Sequence, residues 1–332
     1  MLATDVIPSA YMEHAKRIAS ALSKLEHVII CAHVNPDGDA VGALQMGYFL
    51  LQALDKDCVI YSSTGIPEFL EFQKFPAPVY TSLAALPFHP ESALLVDCGE
   101  YHRLGKEAAA FIPNLPSINV DHHEGSGMGS VASWIEPKAA ATTCLLAYIA
   151  LVQGLPLSGA LGRACALGVV TDTGGFAHSN TTCEVFRLCA HLAEAGVDFA
   201  SLRDQLEHCL SMERLLLWGD LTRKIKLLAQ GRLAFCAVSQ EDLAARSATR
   251  DDLEGFVEYL RKLKGVQISA LVREDETNVC KFSLRSCREI DVCTLAQQLH
   301  GGGHRNASGG TLHTNLDQAQ QKLESILVAA FA

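Results

Sequence analysis

The chain has 332 residues and a mass of 35.7 kDa, enough for two domains of ordinary size. Apolar residues make up 49% of it and charged residues 19%, a balance that fills a core and excludes a disordered tail. The net charge of −10, from 27 basic and 37 acidic residues, argues against a protein that coats long duplex DNA with a broad basic face. The excess is uneven. Residues 1–228 hold 15 basic and 24 acidic side chains, against 12 and 13 in 229–332. Acidic chemistry therefore concentrates in the first part, while the second can still offer a local positive pocket.

In chain order, residues 1–22 lack the basic-then-apolar form of a signal peptide. Apolar runs at 27–33, 58–62, 93–97 and 117–121 read as buried strands, with helices between several of them, most clearly at 39–54 and 104–111. This alternation predicts an α/β fold with a mainly parallel, doubly wound sheet. Residues 139–153, 160–170 and 181–195 read as helices. The first of these is the most membrane-like run, but at about 1.5 Å per residue it spans roughly 23 Å, short of a bilayer core. It also contains Thr142, Thr143 and Gln153, so it reads as a buried helix and no membrane association is expected. Residues 196–228 read as a helical connector without strands. The strand pattern resumes at 233–238, 266–272, 279–284 and 310–313, with helices near 251–264, 291–299 and 316–330. The expected organisation is a domain over 1–195, a linker over 196–228 and a smaller α/β domain over 229–332.

The twelve cysteines contain no C-x-x-C, and Cys280, Cys287 and Cys293 have the wrong spacing for a zinc knuckle. They read as small buried thiols of a reducing cytoplasm. The clearest signal is elsewhere. His33, after the first strand, is followed by Asn35-Pro36-Asp37-Gly38-Asp39. Asp97 ends a second strand, Asp121-His122-His123 ends a third, and Asp172 follows a further apolar run. Chemistry collects beyond the carboxyl ends of parallel strands, and carboxylates gathered there repel unless a cation neutralises them. Oxygen and imidazole donors without thiolate suit one or two divalent ions, Mn²⁺ first, with Mg²⁺ or Co²⁺ as substitutes. Each piece alone has a plain reading, as a turn, a surface histidine pair or a helix cap, but their joint recurrence at the ends of apolar runs favours a metal site. Competing templates are absent: there is no phosphate-binding G-x-x-x-x-G-K-[ST] and no G-x-S-x-G elbow. Cys98 sits beside a carboxylate that suppresses its thiolate.

As a set, His33-x3-Asp37-x-Asp39, Asp97, Asp121-His122-His123 and Asp172 resemble the four motifs of the DHH phosphoesterase superfamily. Gly301-Gly302-Gly303-His304 resembles the signature of its DHH-associated C-terminal domain. Length and architecture are similar to the NrnA-type group of nano-RNA hydrolases and pAp phosphatases, as are the segments 176–181 and 282–286. The resemblance covers about 27–313. It implies that His33 and Asp37 hold one Mn²⁺, that Asp39, His122 and Asp172 hold a second, and that Asp97 bridges the two. It also implies that Asp121 orients the adjacent histidine and that His123 touches the substrate phosphate. Arg285, Ser286, Gly301, Gly302, Gly303 and His304 would line a substrate pocket, in which a Gly-rich loop brings backbone N–H groups close to a phosphate; the plain alternative for that loop is a tight turn between a helix and the strand at 310–313. Asn306 and Ser308 would add polar reach. Arg273, Lys281 and Arg288 read as readily as solvated surface.

Two domains joined by a connector suggest a cleft in which one cuts and the other holds. With aromatics at 7%, a compact clamp fits a short oligonucleotide better than a long strand. The expected activity is hydrolysis of very short RNAs, linear dinucleotides and pAp-type nucleotides. The alternatives are a polyphosphate or pyrophosphate hydrolase with the same metal site, or a binding protein that keeps the site without turnover. A homodimer is a further expectation.

Overall fold

The computed structural model describes residues 6–207, 210–287 and 290–331; Arg288 lies outside them. The chain divides into two compact units, Met1–Cys209 and Leu210–Ala332.

The first unit is built on six parallel strands: β1 (Val28–Cys31), β2 (Cys58–Tyr61), β3 (Val79–Tyr80), β4 (Ser92–Val96), β5 (Ser117–Asp121) and β6 (Ala132–Ile135). Their order is β3-β2-β1-β4-β5-β6, every neighbouring pair parallel. Around the sheet lie α1 (Ser9–Leu22), α2 (Gly38–Gln52), α3 (Lys106–Phe111), α4 (Thr142–Val152), α5 (Gly159–Asp172), α6 (Cys183–Glu194) and α7 (Phe199–Glu207). Alternate residues of a strand feed different cores. Val28 and Ile30 of β1, with Leu94 and Val96 of β4, join the cluster of α1, α2, α4 and α5. Ile29, Cys31, Ala93 and Leu95 join a second cluster that contains Ala108 of α3. A sheet covered on both faces needs strands apolar on both faces, which is why these strands read as unbroken apolar runs.

The second unit is a mixed sheet of β7 (Lys226–Leu228), β8 (Leu233–Val238), β9 (Ile268–Glu276), β10 (Val279–Ser286), β11 (Gly302–His304) and β12 (Ala307–Leu312), in the order β11-β12-β10-β9-β8-β7. Only β8 and β9 pair in parallel. The helices are α8 (Met212–Arg223), α9 (Gln240–Ala244), α10 (Phe256–Arg261), α11 (Val292–Gln297) and α12 (Leu316–Ala329). Leu233 and Phe235 pack with α11 and α12, while Ala234 and Cys236 pack with α8 and α10.

Several sequence expectations change. Residues 196–228 are not one connector: Leu202 of α7 packs into the core of the first unit, Leu217 and Leu221 of α8 into that of the second, and β7 is a strand paired with β8. Each helix there carries its own apolar face, so each joins the core nearest to it in the chain. The helix expected over 251–264 is a 3-10 turn at Asp251–Leu253 followed by α10, because Gly255 between them is left-handed at φ 78°. The helix expected at 104–111 is likewise broken by Gly105, at φ 90°. Among the described residues no helix is long and apolar enough to cross a membrane.

Candidate metal centre

The strand order reverses between β1 and β4, which lie side by side although the chain passes through β2 and β3 between them. Open parallel sheets leave a crevice at such a point, beyond the carboxyl ends of the strands. His33 follows β1 closely, Asp97 follows β4 directly, and Asp121 is the last residue of β5. Asp97 takes φ 52°, a left-handed conformation uncommon outside glycine, and this bends the chain out of the strand.

The remaining groups come from helix ends. Asp37 caps α2, its carboxylate accepting from the backbone N–H of Asp39 and of Ala40, each at 3.1 Å. Asp39, in the first turn of α2, is buried. Its two oxygens accept from the N–H groups of Thr142 at 2.6 Å and Thr143 at 3.0 Å. These open α4, whose N-terminal dipole favours a carboxylate. The Thr142 hydroxyl donates to Asp97 Oδ1 at 2.9 Å. Asp172 arrives at the last turn of α5. The helix expected over 160–170 is α5, and its C-terminal end brings Asp172 to the crevice beside the three strand ends. The Asp172 carbonyl in turn bonds to His178 Nδ1 at 3.2 Å and accepts from Asn180 Nδ2 at 3.1 Å.

The histidines are aimed by their outer nitrogens. His33 Nδ1 bonds to the Val34 carbonyl at 2.9 Å and His122 Nδ1 to the Ala139 carbonyl at 3.3 Å, so each presents Nε2 to the carboxylates. His33 Nε2 lies 3.5 Å from Asp97 and 3.8 Å from Asp37. His122 Nε2 lies 3.1 Å from Asp172, 3.7 Å from Asp97 and 3.9 Å from Asp39. His123 Nδ1 is held by Asp121 Oδ1 at 2.7 Å and sits 3.5 Å from Asp97. Three groups thus hold their candidate donor atoms within 4.8 Å of one another: His33-Asp37-Asp97, Asp39-His122-Asp172 and Asp97-His122-His123.

The electrostatics match a cation site. Burial works against the charged form of His33, but Asp37 and Asp97 overcome it and push its pKa up to about 10. Burial works against charged His122 as well, and Asp172, Asp97 and Asp39 push it up to about 11. For Asp97, burial disfavours the anion, yet His33 and the two other imidazoles hold its carboxyl far below the usual range. Asp172 is raised to about 6, chiefly by burial, and Asp39 is raised by burial and by Asp97 and Asp172. In the metal-free protein, protons on imidazoles do the neutralising that a divalent ion can do. Asp121 Oδ2 is buried without a hydrogen-bond partner, a further acceptor beside the cluster. Clustered carboxylates with neighbouring imidazoles fit hard or borderline divalent ions.

The second unit treats its predicted residues differently. Arg285 Nε donates to Glu258 at 2.6 Å, and its Nη1 to the Leu284 carbonyl at 3.0 Å. Ser286 is buried; its hydroxyl donates to the Ile290 carbonyl at 2.7 Å and accepts from Asn306 at 2.8 Å, so its side chain braces the fold. Ser308 likewise donates to the His304 carbonyl at 2.6 Å. Gly302, Gly303 and His304 form not a loop but β11, an exposed edge strand paired with β12. Gly301 precedes it where a Cβ would lie 2.4 Å from the Gly309 carbonyl oxygen. Arg273 and Lys281 both face Asp275, at 2.7 and 3.5 Å.

Sequence reasoning missed Thr142, Thr143 and Gly168 as parts of the centre. A Cβ on Gly168 would lie 2.2 Å from both Asp39 Oδ1 and Thr143 Oγ1, so only glycine lets α5 approach so closely. The sequence marks none of them: the cap of α4 is Ala141, the threonines serve Asp39 through backbone N–H groups, and a glycine inside an apolar helix carries no signal.

The DHH family, N-terminal domain, matches residues 27–169, and the DHHA1 domain matches 234–329. The bifunctional oligoribonuclease and PAP phosphatase NrnA of Thermus thermophilus is 30% identical over 318 residues, 94% of this chain and 93% of that protein. A probable protein of the same name from Streptococcus mutans is 24% identical over 94% of this chain and 98% of that one. Among solved structures, an exopolyphosphatase-related protein from Bacteroides fragilis shares the fold at a TM-score of 0.84 and 24% identity, covering 98% of this chain and 96% of that one.

Proposed function

The chain belongs to the DHH phosphoesterase family, in its NrnA-type form with a DHHA1 domain, and is a metal-dependent phosphoesterase; from this we propose that it removes mononucleotides from very short RNAs and dephosphorylates pAp-type nucleotides. Linear dinucleotides belong to the same proposed class. The carrying observation is the gathering of His33, Asp37 and Asp97, of Asp97, His122 and His123, and of Asp39, His122 and Asp172 into three donor groups linked through Asp97 and His122, in a chain similar over nearly its whole length to an oligoribonuclease and PAP phosphatase.

In this reading His33 and Asp37 hold one Mn²⁺, Asp39, His122 and Asp172 hold the second, and Asp97 serves both, with Mg²⁺ or Co²⁺ as substitutes. Such a pair of ions supplies an activated water and charge stabilisation for in-line displacement at phosphorus. The protein's own part is orientation. The Val34 and Ala139 carbonyls hold the His33 and His122 rings, Thr142 and Thr143 hold Asp39 and Asp97, and Asp121 holds His123 toward the substrate phosphate. No side chain serves as a covalent nucleophile. Arg285, His304 and the edge strand β11 bind the nucleotide. The protein acts in the cytoplasm. The exposed side chains of Met212, Leu215 and Leu216, spaced i, i+3 and i+4 on α8, support a homodimer.

The test is a substrate panel of di- to pentaribonucleotides, pAp, a linear dinucleotide, pyrophosphate and polyphosphate. It is run metal-free and then with Mn²⁺, Mg²⁺ or Co²⁺. Metal-dependent release of mononucleotides is expected, and Arg285→Ala or His304→Ala is expected to reduce it more than hydrolysis of a small generic phosphoester, since remote contacts orient the scissile group. Phosphate release from polyphosphate with no action on oligoribonucleotides would instead make it a polyphosphate hydrolase with the same metal ligands.

A further inference from the structure

Beside Asp172 the first unit displays an aromatic pair that the metal chemistry does not use. Phe186, on the first turn of α6, is 54% exposed, and with Val131 it makes up the large exposed apolar side chains of that unit among the described residues. A single exposed apolar side chain needs no explanation. This one is held in place: its ring stacks on Phe176 with centroids 5.7 Å apart and planes inclined by 28°.

Phe176 is itself unusual. Its backbone lies at φ 69°, a genuine outlier for a bulky side chain and a kind of strain that collects at functional sites. The strain is sustained by local hydrogen bonds. The Phe176 N–H donates to the Thr173 hydroxyl at 3.0 Å, and the N–H groups of Ala177 and His178 both donate to the Thr173 carbonyl at 2.9 Å. The turn closes onto the metal-ligand residue, since His178 and Asn180 both bond to the Asp172 carbonyl. Asn180 also donates to the Ala140 carbonyl at 3.1 Å, and α6 begins at Cys183. Asp172, Phe176 and Phe186 are thus tied into one short assembly.

Resting on the reading that this chain cleaves short oligoribonucleotides, we propose that the Phe176–Phe186 pair is a stacking platform for a nucleobase of the substrate, with Phe186 as the contacting ring and Phe176 as the residue that positions it. Every base has a π face, so base–aromatic stacking is tolerant of sequence. That suits an enzyme acting on short RNAs of any composition, and it gives base-bearing substrates an advantage that polyphosphate cannot use.

The experiment compares the full-length chain with Phe186→Ala, Phe186→Leu and Phe186→Tyr, using a diribonucleotide and its abasic analogue. Because Phe186 is largely exposed, circular dichroism and Mn²⁺ titration are expected to match wild type. The ratio of kcat/KM for the base-bearing substrate to that for the abasic one is expected to fall about tenfold or more in the Ala and Leu variants, through KM, and to recover in the Tyr variant. A 2-aminopurine dinucleotide should be quenched on binding to wild type and less so on binding to Phe186→Ala. A wild type that is active on the dinucleotide, with the ratio unchanged in Phe186→Ala, overturns the platform alone, as does an equal loss on both substrates. A wild type inert on every oligoribonucleotide overturns the functional reading beneath it.

Discussion

Asp97 is the residue on which the centre turns. It is buried, it faces His33, His122 and His123, and its carboxylate accepts from Thr142. Substituting Asp97→Asn keeps the shape but removes the charge that two donor groups share. Turnover is expected to be abolished while the far-ultraviolet circular dichroism remains that of the folded chain. Activity within tenfold of wild type, about 1.4 kcal/mol of barrier, would contradict a shared role for this carboxylate. At this scale the sequence was informative. The positions of His33, Asp37, Asp39, Asp97, His122 and Asp172 could be read because each lies at the end of an apolar run. The roles of Thr142 and Thr143 could not, since what they contribute is mainly backbone N–H, which every residue but proline carries.

At the scale of elements, α5 shows how the centre depends on packing. Gly168 sits in a helix that is apolar almost all round, and alanine there would ordinarily help the helix by about 1 kcal/mol. The close approach of Asp39 and Thr143 reverses that expectation. Gly168→Ala is expected to push α5 away from α2 and α4, to weaken Mn²⁺ binding in calorimetry and to cut turnover by more than tenfold. A variant with wild-type metal affinity would show that α5 has room to spare. Most of the long elements were legible from their apolar pattern, but α1 (Ser9–Leu22) and the strand β6 were not expected. The two-residue β3 and the three-residue β7 and β11 were not, because so short a strand has no period of its own and is specified by its partner. For the same reason Gly301-Gly302-Gly303-His304 was read as a loop, whereas β12 supplies the pairing that makes most of it a strand.

For the whole molecule, the acidic excess of the first part of the chain has a local consequence. His33 and His122, raised to about 10 and about 11, carry protons at neutral pH in the metal-free protein, and a metal ligand must give its proton up. Loading with Mn²⁺ at pH 7.5 is therefore expected to release protons. The sign follows from those shifts: protons compete with the metal everywhere below the raised values, so apparent affinity should fall as pH is lowered from 8 to 6. Calorimetry in two buffers of different ionisation heat measures the release, and heats independent of the buffer would contradict it.

The sequence by itself determined the α/β class, the parallel sheet of the first unit and the acidic and histidine positions, because strand-end motifs and apolar runs are local and need no partner to be seen. Tertiary structure alone decided three things. It brought the end of α5, and with it Asp172, beside His122 and Asp39, because a helix that is apolar almost all round does not show in sequence which neighbours its end will meet. It divided 196–228 between two cores, because an amphipathic helix shows that it has an apolar face but not which core receives it. And it turned Ser286 inward while pairing Arg285 with Glu258, because whether a polar side chain is engaged depends on neighbours far away in the chain.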